Sequence, residues 1–318
     1  MGIGGYNQLS LQSFGSGFGE DIYNYQSARA ALYSFCSAQN IKEIYVPNYI
    51  CDSIFPALKS LGIRIYFYSI NDNLLPEKFP IIKNTKSSKV LIVNYFGLLS
   101  EELKEIVMKE PEAFIVDNSQ ALFNDHLEGA TSIYSPRKFL GLPDGGFLKT
   151  SEKIKLPTTL YDASKKIGHL LLRAAGDVQG GYEQFLEAEK ALECYLPKKM
   201  SLISSFLIEC NNFKKIKECR QYNYNELNSK FKSINRLSFK FTNQVPLCYP
   251  LKLDFNVSHI CKELVGEKIY LPRYWDNKSN GSLGQDIFHK TLFLPVDERI
   301  DEMNISKLIS LVESKIVN

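Results

Sequence analysis

The chain has 318 residues, 44% hydrophobic and 23% charged, with 38 Lys and Arg against 35 Asp and Glu for a formal charge of +3. This is ordinary globular usage, which excludes a disordered or fibrous chain, and the length allows one large domain with a smaller one. The near balance of charge argues against nucleic acid as the main partner, and no apolar run reaches the roughly 18 residues of a membrane helix.

Residues 1–26 are rich in glycine and aromatics and include GSGFGE at Gly15–Glu20. No apolar strand feeds that string, so it reads as a flexible entry segment rather than a phosphate loop. Ser27 suits the N-cap of a helix over 28–39, ARAALYSFCSAQ, which Asn40 can close. Glu43–Pro47 reads as a short buried strand, and a helix over Ser53–Leu61 stops at Gly62. Ile63–Ile70 is β-rich, and Lys89–Phe96 is a continuous apolar strand ending at Gly97. Ser100–Glu110 has helical spacing, and Ala113–Asp117 is another buried strand. Apolar strands separated by helices predict an α/β fold with a mostly parallel sheet covered on both faces.

The pattern changes near Pro157. Residues 160–230 have helical apolar spacing, interrupted by Gly180-Gly181 and Pro197. Short strands are then expected at Ser238–Phe241, Val245–Phe255, Lys268–Pro272 and Thr291–Pro295, alternating with helices near 257–265, 283–289 and 302–316. The division is therefore a large α/β domain over 1–160, a helical middle section over 161–230, and a small C-terminal α/β domain over 231–318. The seven cysteines are scattered, odd in number and never spaced as CxxC, and the four histidines form no HExxH. Reduced thiols and no metal site are expected. With no basic-then-apolar leader pattern, the expected location is the cytoplasm.

In an open parallel sheet, ligands bind beyond the carboxyl ends of the strands. Asp117 follows the apolar AFIV and opens the string D-N-S-Q; alone, it suits a loop cap. Lys138 lies in the loop-like stretch before Asp144-Gly145-Gly146; alone, it reads as solvated surface. Gly145 and Gly146 allow a sharp turn before FLKT, which holds the preceding lysine near the rim of the sheet.

The ordered set carries more than any member. SARAAL (27–32), VPNYICDSI (46–54), VDNSQA (116–121) and SIYSPRKFLGLPDGGFLKT (132–150) together resemble the DegT-type nucleotide-sugar aminotransferases. KKMS (198–201) with Arg220, and the ending at 292–312, add weaker matches. The resemblance implies the fold-type-I aminotransferase scaffold and pyridoxal 5'-phosphate (PLP), or its pyridoxamine form (PMP), as cofactor. By that resemblance Lys138 is the Schiff-base lysine and proton shuttle. Asp117 keeps the ring nitrogen protonated, and Gln120 hydrogen-bonds the phenolic oxygen. Ser27, Ala28 and Arg29 take the phosphate at a helix N-terminus, joined by Ser135. Tyr49 or Cys51 lies against the ring face. Arg273, Tyr274 and Trp275 are candidates for gripping the sugar or diphosphate; anchoring the small domain is the other reading of the Trp.

The implied activity is transfer of an amino group, with glutamate the expected donor, to a nucleotide-linked keto-sugar for amino-sugar or surface-polysaccharide synthesis. The implied assembly is a homodimer. A PMP-dependent sugar dehydratase and a non-catalytic sugar-nucleotide-binding relative are the alternatives; retention of Lys138 weighs against the first.

Overall fold

The computed structural model describes residues 7, 9–15, 18–19, 21–82, 84–276 and 281–317. The string at 15–20 lies partly outside the described residues. Its described Phe18 is not a loose end: the ring packs at 4.9 Å from Phe147 and 5.0 Å from Phe213.

In chain order the first half runs β1 (Tyr23–Tyr25), α1 (Ala28–Ala38), β2 (Glu43–Pro47), α2 (Phe55–Ser60), β3 (Arg64–Tyr68), β4 (Ser88–Val93) and α3 (Ser100–Val107). It continues with β5 (Phe114–Asn118), β6 (Thr131–Tyr134) and β7 (Gly146–Lys149). These strands form one sheet in the order β1-β7-β6-β5-β4-β2-β3. Strands β2 to β6 pair in parallel, and β7 runs antiparallel to both β6 and β1. The expected mostly parallel sheet is present, with one reversed strand. β1 and β6, both short, were not expected as strands.

Local chemistry accounts for the helix that enters the sheet. The Ser27 hydroxyl accepts from the Ala30 amide at 3.2 Å, capping α1, and Asn40 ends it in the left-handed region at φ +50°. Ala30, Ala31, Leu32, Phe35 and Cys36 form its buried stripe. Burial of a side chain such as Leu32 or Phe35 contributes roughly 1.5–3 kcal/mol.

The second half supplies α4 (Gly168–Ala174), α5 (Tyr182–Ala191), α6 (Leu202–Glu209) and α7 (Phe213–Phe231). A small unit follows: β8 (Cys248–Lys252), α8 (Ser258–Gly266), α9 (Ser282–Lys290), β9 (Thr291–Pro295) and α10 (Glu302–Val317). Its sheet is the antiparallel pair β8-β9. The strands expected at 238–241 and 268–272 do not form. Their apolar residues serve packing instead of pairing: Phe241 stacks on Tyr224 at 4.2 Å, and Leu271 packs against the core.

The sheet separates two buried clusters. Ile133 and Leu148 belong to a large cluster that runs from Ile44, Leu91 and Ile115 to Leu251 and Phe293 of the small unit. Their neighbours Tyr134 and Phe147 point the other way, into a cluster with Phe139, Met200 and Ile216. Among the described residues, no helix is long and apolar enough to cross a membrane.

Candidate active site

Because β2, β4, β5 and β6 are parallel, the segments that follow them emerge at one edge. These are Asn48–Cys51, Asn94–Gly97, Ser119-Gln120 and Ser135–Lys138. Asp117 lies at the end of β5, level with Val93 of β4 and Ile133 of β6. Asp117 pairs with Ile133 and Asn118 with Tyr134, so Lys138 comes four residues after the last paired position of β6. The acid and the lysine thus come to the same rim from neighbouring strands.

The acid is held and the lysine is exposed. Asp117 is 9% exposed, and one of its carboxylate oxygens accepts from the Ser119 amide at 2.8 Å. Lys138 ends a single 3-10 turn, Pro136–Lys138, and is exposed. Around it Pro136, Phe139 and Leu140 are buried, so the backbone is fixed while the amine extends outward. The Arg220 guanidinium lies 4.7 Å from the Phe139 ring centroid and donates to the carbonyls of Pro246 and Leu247 at 3.2 and 3.3 Å. Burial lowers the pKa of Arg220, which the acids Glu298 and Asp297 oppose. Arg220 thereby ties the lysine turn to the small unit.

Gln120 is 2% exposed. Its carbonyl oxygen accepts from the Phe96 amide at 2.9 Å, while its Nε2 is buried without a hydrogen-bond partner. The loop it braces is strained: Phe96 adopts φ +59° and Gly97 φ +73°. A left-handed phenylalanine costs about 1–3 kcal/mol and persists only where surroundings fix it. At Gly97 a Cβ would sit 2.9 Å from the Gln120 backbone carbonyl oxygen, so glycine is required there.

An aromatic wall closes one side. Tyr49 is fully buried, stacks on Tyr95 at 5.5 Å and lies 5.0 Å from Trp275. The Tyr95 hydroxyl donates to the Tyr49 carbonyl at 2.5 Å, and the Tyr49 hydroxyl to the Tyr274 carbonyl at 2.6 Å. Burial raises the pKa of both phenols, so both stay protonated. Cys51 is half-buried, with its thiol donating to Ser53 Oγ at 3.1 Å. Tyr274 packs edge-on against Phe293 at 5.0 Å. Arg273 turns into the small unit, where it donates to the Phe288 carbonyl at 2.8 Å and to Cys261 Sγ at 3.3 Å.

Ser27 and Ala28 open α1 beside the glycine turn. Gly145 bridges to Ser27, and a Cβ on Gly146 would overlap the Ser27–Ala28 peptide. Arg29 donates to the Leu192 carbonyl at 3.0 Å. Ser135 is buried, and its carbonyl accepts from the Lys138 amide at 3.2 Å. Asp144 is wholly buried and takes the Ser201 amide and hydroxyl and the Ser204 hydroxyl, which fixes the glycine turn to α6.

No protein-family model and no curated protein matches the sequence. Solved structures match over most of its length. Spr1654 from Streptococcus pneumoniae, designated a sugar aminotransferase and solved in its PMP form, shares 13% identity at a TM-score of 0.64, over 93% of this chain and 87% of that one. A DegT DnrJ EryC1 StrS aminotransferase from Brucella abortus shares 13% at 0.60, over 92% and 85%. Helicobacter pylori PseC, an aminotransferase of pseudoaminic acid biosynthesis, shares 14% at 0.60, over 92% and 86%. The chain has the fold of the DegT-type sugar aminotransferases.

With that fold in place, the donor set at the rim fits a flat heterocycle with an aldehyde carbon, a ring nitrogen and a ring oxygen. A carboxylate suits a protonated ring nitrogen, the unpartnered Gln120 amide suits an oxygen acceptor, and an extended amine suits a carbonyl carbon. Sequence reasoning singled out Asp117, Gln120 and Lys138, which the fold brings to one rim, and did not single out the Asn94–Gly97 loop beside them. Gly97 was the one signal there; the left-handed Phe96 leaves no mark in composition.

Proposed function

We propose that the chain is a PLP-dependent aminotransferase that transfers nitrogen from an amino acid, glutamate in the first instance, to a nucleotide-linked keto-sugar. The observation that carries this reading is the buried, unpartnered Gln120 amide at the rim shared by Asp117 and Lys138. The PMP form of one structural neighbour supports the cofactor, and the pseudoaminic acid pathway of another supports a sugar acceptor.

The cofactor, when bound, supplies an electron sink through which nitrogen and a proton change carbons. Lys138 would hold it through Nζ and is placed to move a proton at that atom. The Asp117 carboxylate keeps the ring nitrogen protonated. The Gln120 Nε2 would donate to the ring oxygen. Ser27, Ala28, Arg29 and Ser135 would bind the phosphate; of the two ring-face candidates, Cys51 keeps exposed surface and the fully buried Tyr49 does not. Tyr274 and Trp275, joined to Tyr49, shape the sugar side; Arg273 acts there by fixing their segment to the small unit.

Second copies of the chain complete the reading. Leu171, Tyr182, Phe185, Leu186, Leu202 and Phe206 are exposed apolar side chains on α4, α5 and α6, which supports a homodimer through this helical section. A cytoplasmic enzyme of amino-sugar or surface-polysaccharide synthesis, with a large, a middle and a small part, is the corresponding assignment.

The test is turnover. Protein with PLP, glutamate and a panel of keto-sugar nucleotides is expected to release 2-oxoglutarate in step with an amino-sugar product. Sugar dehydration without donor consumption would replace this reading by the dehydratase. Sugar-nucleotide binding with neither PLP binding nor turnover would replace it by a non-catalytic binding protein.

A further inference from the structure

The face of the sheet turned away from Asp117 carries a cavity that the cofactor rim does not use. Tyr134 of β6 lies opposite Phe147 of β7, and Ser132 opposite Lys149. Alternation puts these four on one face, and Ile133 and Leu148, level with Asp117, on the other. The loop after Gln120, the start of α7, and Phe18, Gly19 and Ile22 close around the first face and leave a cleft of about 190 Å³. Among the described residues, none that lines it belongs to α4, α5 or α6, where the second copy is placed.

The walls are aromatic and the mouth is charged. The Phe18 ring lies 4.9 Å from Phe147, and Phe123 packs edge-on at 5.7 Å against Phe139. Lys217 of α7 holds its amine 5.2 Å from the Phe123 ring centroid. Lys149 is half-buried. Among the described residues, neither lysine has an ion-pair partner. Lysine is seldom buried without one. His126 Nδ1 lies 3.0 Å from Ser132 Oγ, and burial, with the nearby Lys149, lowers the pKa of its ring, which is neutral at pH 7. Asp125 is the acid at the mouth. Two amines against one carboxylate leave a surplus of one positive charge.

We propose that this cavity is a second small-molecule site, which takes a single-ring aromatic monocarboxylate with its ring against Phe18, Phe123 and Phe147 and its carboxylate toward the amines of Lys149 and Lys217. An apolar cavity of about 150 Å³ holds benzene. The larger volume here has room for one ring and one carboxylate, and none for a nucleotide. The ring gains contact with aromatic faces and edges, and the carboxylate supplies the counter-ion that the lysines lack. A phosphate dianion fits less well: the described lining offers no arginine fork for its oxygens, and Asp125 opposes a second negative charge. The site stands apart from the PLP reading, and either can fail without the other.

The experiment is titration calorimetry with sodium benzoate as the probe. Benzamide keeps the ring and loses the charge; acetate keeps the charge and loses the ring. Wild type is expected to bind benzoate with a Kd of about 1 mM or tighter, and the other two at least about tenfold more weakly. Lys149→Gln is expected to weaken benzoate about tenfold, and Lys217→Gln about threefold because its amine is more exposed to solvent. Benzoate is also expected to raise the pKa of His126, read from its ring resonances, and to bind Lys138→Ala as it binds wild type. No detectable benzoate binding would overturn the proposal, as would equal affinity for benzamide. Benzoate affinity that falls in Lys138→Ala and is unchanged in both glutamine variants would place the ligand at the cofactor rim and overturn it as well. Lys217 is exposed on α7, so its variant folds and decides the matter even where Lys149→Gln does not.

Discussion

The Gln120 side-chain carbonyl accepts a hydrogen bond of 2.9 Å from the Phe96 amide, which couples the loop after β5 to the strained loop after β4. Its oxygen holds a left-handed phenylalanine, and its nitrogen is buried with no hydrogen-bond partner among the described residues. Gln120→Leu should cost about 1–3 kcal/mol by stranding a buried amide. Gln120→Glu keeps the acceptor and loses the donor. We expect a clear fall in thermal midpoint for both, the second because it buries a carboxyl at a 2% exposed position, and weaker PLP binding in both. Equal PLP affinity in Gln120→Glu and wild type would remove Gln120 from the site.

Asp117→Asn tests the acid separately from the scaffold. The amide fits the same space and still accepts from the Ser119 amide, so cofactor binding and thermal stability should change little. Loss of a fixed charge beside the ring nitrogen should lower kcat by about a hundredfold or more, the scale seen when a preorganised electrostatic partner is removed. Steady-state kinetics with a saturating donor measures this. An undiminished kcat would place the acid elsewhere.

Gly146→Ala addresses the turn that brings β7 beside α1. Its Cβ would overlap the Ser27–Ala28 peptide, and backbone cannot step aside as a flexible side chain can. The expected cost is about 3 kcal/mol or more, read from urea denaturation, against almost none for Gly19→Ala, where no atom lies within reach.

The sequence was most informative where one physical requirement dominates a segment. Continuous apolar runs gave β2, β4 and β5, and the Ser27 cap and Asn40 stop gave α1, because burial and capping act locally. Asp117, Gln120 and Lys138 stood out by their order along the chain, and β6 supplies the parallel step that brings them to one rim. The strands expected at 238–241 and 268–272 failed because an extended apolar segment can be buried by rings as well as by a ladder. Phe241 on Tyr224 is the example. The Arg137–Glu189 pair was invisible for a related reason: it joins residues 52 positions apart through a fold-level contact.

His126 gives a pH dependence with a defined sign. Burial, with the nearby Lys149, lowers its pKa below the ordinary 6.5, and its ring Nδ1 lies 3.0 Å from Ser132 Oγ. As pH falls through 6.5 the unfolded chain takes up this proton before the folded one does. Stability therefore declines from about pH 6.5 downward until the folded-state pKa is passed, and is constant in this respect above it. Urea midpoints compared at pH 7.5 and 5.5 should differ less in His126→Asn than in wild type. An equal difference would assign the acid sensitivity to other groups.

The most direct measurement of the central claim is chemical trapping. Borohydride reduction of the PLP-loaded protein fixes the cofactor to whichever amine holds it, and peptide mass spectrometry locates the tag. The account predicts a tag on Lys138 alone, with the visible absorbance of the loaded protein lost in Lys138→Ala. A tag on another lysine, or a variant that keeps its colour, would contradict it.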